Sequence, residues 1–72
     1  MKNFHDFYFG LPVDKRDEYC ERAGTTYKYA ERLAGGWRLP SLRMAKRLIE
    51  AANGKLNFHS LIATWEKRNG PL

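Results

Sequence analysis

Arg16-Asp17-Glu18-Tyr19-Cys20-Glu21-Arg22-Ala23-Gly24-Thr25-Thr26-Tyr27-Lys28-Tyr29-Ala30-Glu31-Arg32-Leu33-Ala34-Gly35-Gly36 is the run from which the fold is read. It divides into two short amphipathic segments at Gly24, a residue that takes positive φ cheaply and so stops a helix. In the first segment Val13, Arg16, Tyr19, Cys20 and Ala23 share a stripe, with Tyr19, Cys20 and Ala23 as its inward members. The aliphatic part of Arg16 follows the same edge, leaving its guanidinium free. Cys20 is small and sits one helical turn before Gly24, where two crossing helices approach closely. In the second segment Ala30 and Leu33 lie on one face and can pack back onto the first. Tyr27, Lys28, Glu31 and Arg32 then fall on the opposite, outer face. Thr26 is the expected N-cap, with Thr25 as the rival, and Gly35-Gly36 ends the helix after Ala34.

Working outward, Phe4, Phe7, Tyr8 and Leu11 recur at i, i+3, i+4 and i+7, which predicts a first helix over Asn3–Gly10. Phe9 lies off that face, as a partly exposed aromatic or as a contact for a partner chain. Pro12-Val13-Asp14 opens the second helix, where a proline costs no hydrogen bond and acidic residues suit the positive helix end. Beyond Gly36 the loop Trp37-Arg38-Leu39-Pro40 leads to Ser41, the expected cap of a fourth helix over Leu42–Ala52. Its buried stripe is expected to be Leu42, Ala45, Leu48, Ile49 and Ala52, and Asn53-Gly54 closes it. Leu56 should tuck under the domain. Asn57 caps a fifth helix with Phe58, Leu61, Ile62 and Trp65 on one face, and residues 67–72 read as a frayed tail. No stretch alternates apolar and polar residues over the length of a strand, so the expectation is an all-α domain of five helices over residues 1–66.

Seventy-two residues hold one domain with a modest core, and 43% apolar residues are ample for a folded chain. The single cysteine excludes an internal disulfide framework and suits a reducing compartment. The N-terminal segment, with Asn3, His5 and Asp6 among its aromatics, does not read as a signal peptide, and no apolar run reaches membrane-span length. A cytoplasmic protein is expected. The net charge of +5 is unevenly placed: residues 1–24 carry −1, residues 25–54 carry +4 and residues 55–72 carry +2. The excess begins at the third helix and favours a polyanionic partner, against the alternative of a domain that is merely basic.

An exposed helix at the start of a basic region can lay its first turns in a DNA major groove. Arg32 is suited to a bidentate contact with guanine. Lys28 can do the same or bind phosphate, Glu31 can accept from cytosine N4 or pair with Lys28, and Tyr27 offers a ring to a thymine methyl. The alternative is that these four form only a solvated face. Tyr29 is either a flank residue with its hydroxyl on a phosphate or a core aromatic. Arg16 either clamps a phosphate or pairs with the acids around it, such as Glu21. Trp37 is either a partly buried anchor or, with Arg38, a contact to the duplex backbone. Arg43, and Thr26 at the helix start, are further phosphate candidates. Catalysis finds little support. His5 and His59 are far apart, neither has a partner at metal-ligand spacing, and no glycine-rich phosphate loop is present. No enzyme activity, metal or cofactor is expected, and Cys20 should be buried and inert.

The run Ala23–Ala34, followed by Gly36-Trp37-Arg38-Leu39-Pro40-Ser41, resembles the lambda-repressor-like helix-turn-helix family, and within it the short Cro-type regulators of phages and prophages. The resemblance spans about residues 2–65. It implies a five-helix domain that binds operator DNA, usually as a homodimer on a palindromic site. It carries base contacts onto Tyr27, Lys28 and Arg32, with Glu31 as a further candidate, and phosphate contacts onto Arg16 and the Trp37-Arg38 loop. Ala30 is smaller than the branched residue often found at that core position, which leaves looser packing there or a gap that Tyr29 fills. The 72 residues carry no counterpart of the second domain of the larger lysogeny repressors. That leaves a Cro-type repressor or, as the rival, an antitoxin-like protein-binding module. Phe9, Ile62, Trp65 and Leu72 are the apolar residues not assigned to one core and mark the expected dimer surface.

Overall fold

Five helices follow one another in the computed structural model, which describes residues 2–72: α1 Phe4–Phe9, α2 Val13–Ala23, α3 Tyr27–Ala34, α4 Leu42–Ala51 and α5 Phe58–Asn69. The helices start where short polar side chains stand ready. Asn3, Thr26, Ser41 and Asn57 each accept a hydrogen bond from the backbone N–H three residues on. At Asn57 the bond is reciprocal, because the Ser60 hydroxyl in turn accepts from the Asn57 N–H at 3.2 Å. Pro12 begins α2 without a side-chain cap.

The ends of α2 and α3 are built alike. At α2 the Gly24 N–H bonds the Glu21 carbonyl and the Thr25 N–H bonds the Cys20 carbonyl, with Gly24 at φ 71°. At α3 the Gly36 N–H bonds the Leu33 carbonyl and the Trp37 N–H bonds the Arg32 carbonyl, with Gly36 at φ 80°. Both are Schellman motifs, which satisfy the last carbonyls of a helix and turn the chain away sharply.

The core joins all five helices. Phe4 and Tyr8 of α1 meet Tyr19 of α2 in an aromatic cluster with ring centroids 5.8–6.4 Å apart. Ala23, Ala30, Leu33, Ala34, Ala45, Leu48, Ala51, Ala52, Leu56 and Leu61 complete it, with Phe7, Leu11, Tyr29, Met44 and Ile49 packed around the edge. The helix α1 packs on α3 and α5, α2 packs on α3 and α4, and α5 closes against α3 and α4. Buried polar atoms are paired. Tyr19 donates its hydroxyl to the Leu48 carbonyl at 2.7 Å, and the Tyr8 hydroxyl lies 3.6 Å from Cys20 Sγ. Burial pushes both phenols up from their ordinary value, and at Tyr8 the bond to Cys20 adds to the effect.

The structure differs from the sequence expectation in several places. Leu42, expected in the buried stripe of α4, is 77% exposed, and Met44 packs against the core instead. Leu42 is the first residue of its helix, so its side chain projects beyond the neighbouring elements. Phe58, in the same first position of α5, is likewise exposed. The frayed tail begins later than expected, because α5 continues to Asn69 and its last turn bonds back onto the α3 end. No helix is long and apolar enough to cross a membrane among the described residues.

Candidate nucleic-acid interface

Helix α3 buries Ala30, Leu33 and Ala34 and turns the rest of its surface outward. Tyr27, Lys28, Glu31 and Arg32 are all exposed: the 3.6-residue period turns Lys28, Glu31 and Arg32 away once Ala30 and Leu33 face in, whereas Tyr27, one turn before Ala30, is exposed as the first residue of the helix. Ala30 is fully buried, and half-buried Tyr29 packs against the same core. Tyr29 therefore sits at the flank of the helix with its ring partly inside. Thr26 caps the first turn through Oγ1, which accepts from the Tyr29 N–H at 3.2 Å.

The electrostatic state of this face is open. Among the described residues Lys15 pairs with Glu18, and His5 Nδ1 lies 3.1 Å from Asp6 Oδ1. Glu31 and Lys28 are not joined, so the intrahelical pair weighed in the sequence does not form. Arg38, Arg43 and Lys46 follow on the loop and on α4, exposed and with no side-chain hydrogen bond or ion pair among the described residues. Arg47, on α4, reaches the α2–α3 turn. Its Nη1 lies 3.8 Å from where a Cβ would stand at Gly24.

Arg16 departs from the free guanidinium expected of it. Its guanidinium is not free, and it does not pair with Glu21. Nε donates to the Leu11 carbonyl and Nη2 to the Phe9 carbonyl, both at 3.0 Å, while the group lies 5.5 Å from the Phe9 ring centre. Those carbonyls belong to the last residue of α1 and to the α1–α2 connection, so Arg16 ties the two helices' junction down. Trp37 is not a buried anchor: it is 65% exposed. One face of its indole carries the Arg68 guanidinium at 3.6 Å from the ring centre. Of the residues expected at a dimer surface, Leu72 is exposed, Phe9 is at the border of exposure, and Ile62 and Trp65 are half-buried on α5.

Two functional candidates went unread in the sequence. Arg68 and Asn69 stood in a segment whose Asn69-Gly70-Pro71 ending signals a terminus, and no local pattern links them to Gly35 and Gly36. Elsewhere no group of three His, Cys, Asp or Glu side chains gathers among the described residues. Comparison with family models, with curated proteins and with solved structures returned no match.

Proposed function

We propose that this chain is a sequence-specific double-stranded DNA-binding regulator of the lambda-repressor-like kind, with α3 as the helix that enters the major groove. The observation that carries the reading is the outer face of α3: Lys28, Glu31 and Arg32 are exposed and unpaired among the described residues, on a helix braced by a cap and two Schellman turns. Unpaired side chains of this kind exchange water for base edges without first breaking an internal bond, and the net charge of +5 supplies the attraction. Tyr27, Lys28, Glu31 and Arg32 read bases. Thr26, Tyr29, Trp37, Arg38 and Arg43 stand where the sugar-phosphate backbone passes, and Arg16 contributes through the one nitrogen it has left. Occupying an operator blocks polymerase, so repression needs no chemistry. A homodimer on a palindrome sets two α3 helices one DNA turn apart, about 34 Å.

The test starts by selecting bound duplexes from a random pool and titrating the winner. A recovered palindrome with a log K against log salt slope near −9 is expected for a dimer making about five phosphate contacts per protomer. Lys28→Ala and Arg32→Ala should each weaken the selected site by about 1–3 kcal/mol and relax the preference at one position. A slope near zero, or unchanged binding by the double variant, overturns the reading. Sedimentation of the same complex decides the dimer, and one protomer per site removes it.

A second reading has its own observation. Trp37, Leu39 and Leu42 are all exposed within six residues of sequence, and exposed apolar side chains so close in the chain suit contact with another protein. On that reading the chain is an antitoxin-like protein-binding module, and Leu39→Ser with Leu42→Ser abolishes partner capture while duplex binding never appears.

A further inference from the structure

The C-terminal turn of α5 holds an arginine in an unusual state. Arg68 is exposed, yet three contacts fix it. The central carbon of its guanidinium lies over the Trp37 ring at 3.6 Å from the ring centre, and its Nε donates to the Gly35 carbonyl at 2.7 Å. Its stem passes so close to Gly36 that a Cβ there would stand 3.1 Å from Arg68 Cβ. The next residue reinforces the arrangement, because Asn69 Nδ2 donates to the Gly36 carbonyl at 2.8 Å and to the Trp65 carbonyl at 2.9 Å. The two terminal nitrogens of Arg68 have no hydrogen-bond partner among the described residues. Arg68 shares a cleft with Lys67, His5 and Gly35, and no carboxylate lines it.

From this geometry we infer that Arg68 is a phosphate-binding residue whose open edge takes two oxygens of one backbone phosphodiester. Guanidinium and phosphate match as a planar fork to a pair of oxygens. The Trp37 stack and the Nε bond orient that fork before the ligand arrives, so little side-chain freedom is lost on binding. The position is adjacent to the site already proposed, since Arg68 rests on Trp37, whose N–H closes the turn at the end of α3. Arg68 thereby extends the phosphate-contacting surface from the Trp37-Arg38 loop onto α5. The inference rests on the duplex-binding reading.

The experiment is a salt titration of the full chain on its selected duplex, with wild type, Arg68→Ala, Arg68→Lys, Trp37→Ala and the Lys28→Ala/Arg32→Ala pair. Thermal melts of each variant establish folding. Arg68→Ala should bind about tenfold more weakly at low salt. Its deficit should shrink about threefold per protomer between about 50 and about 200 mM salt, because one fewer counterion contact lowers the slope by about 0.9. A purely structural role would lower affinity and leave the slope alone. Arg68→Lys keeps the charge and should restore the slope without the full affinity. Trp37→Ala frees the fork and should weaken binding at unchanged slope. If folded Arg68→Ala, or Arg68→Lys should Arg68→Ala not fold, binds with wild-type affinity and slope while the Lys28/Arg32 pair fails, this inference falls and the α3 reading stands. If Arg68→Ala lowers the slope and the pair binds like wild type, the α3 reading falls alone. No duplex binding at low salt ends both.

Discussion

Thr64 shows how much one hydroxyl can organise in a small domain. The first turn of any helix has N–H groups with no intrahelical acceptor. In α1 the Asn3 side chain takes the Asp6 N–H at 2.8 Å, which leaves Phe4 and His5. Both donate to Thr64 Oγ1 of α5, at 2.8 and 3.2 Å, and that hydroxyl itself donates to the Ser60 carbonyl at 3.1 Å. A single side chain thus caps α1 from sixty residues away and fixes it to α5. Thr64→Val keeps the shape and removes the acceptor. It should cost about 1–3 kcal/mol, since a buried N–H loses its partner, and Thr64→Ser should keep most of the stability. The readout is the midpoint of thermal unfolding, which moves by about 4–8 °C per kcal/mol in a domain of this size. A valine variant as stable as wild type would mean that the two N–H groups find water instead.

At the scale of elements, the glycine turns at the two ends of α3 look equivalent in sequence and are not equivalent in space. Gly24 and Gly36 both take positive φ, so alanine at either costs about 1–2 kcal/mol of backbone strain. At Gly24 the added methyl meets only the far end of Arg47, at 3.8 Å. At Gly36 it would stand 2.9 Å from the Thr64 carbonyl oxygen and 3.1 Å from Arg68 Cβ. Backbone cannot move aside as a flexible side chain can, so overpacking adds about 1–3 kcal/mol there. Gly36→Ala should therefore be the more damaging of the two in urea unfolding, with Gly24→Ala losing only the strain term. Equal losses would show that α5 can retreat from the α3 end. The same close approach explains why α5 runs on to Asn69: its last turn is held by the α3 terminus it covers.

Across the whole molecule, the buried phenols tie stability to alkaline pH. Tyr8 and Tyr19 are almost wholly inaccessible, and both titrate above their ordinary value of 10.0, chiefly because burial disfavours the phenolate. A raised pKa in the folded state means that, above about pH 10, the unfolded chain loses these protons first. Stability conferred by the neutral phenols is then complete below pH 10 and falls as the pH rises further. Each phenol contributes a slope of up to about 1.4 kcal/mol per pH unit. Denaturant unfolding at a series of alkaline pH values measures that slope, and Tyr19→Phe should remove about half of it. A flat profile above pH 10 would show that the phenolates are tolerated inside.

The sequence by itself determined the helices, because period, caps and stop glycines act over a few residues. The bounds of α3, Tyr27–Ala34, follow from Thr26 and the Gly35-Gly36 pair, and α4 and α5 begin where Ser41 and Asn57 announce them. The outward set on α3 was largely legible for the same reason: burying Ala30 and Leu33 leaves Lys28, Glu31 and Arg32 turned away, and Tyr27 is exposed because it opens the helix. Tertiary structure alone decided what polar side chains outside the helix caps do with their hydrogen bonds. Arg16 turned to the Phe9 and Leu11 carbonyls, Thr64 to the start of α1, and Arg68 and Asn69 to the end of α3. Backbone groups left over at helix ends must find partners wherever packing brings a donor or acceptor, and no local pattern records which one arrives.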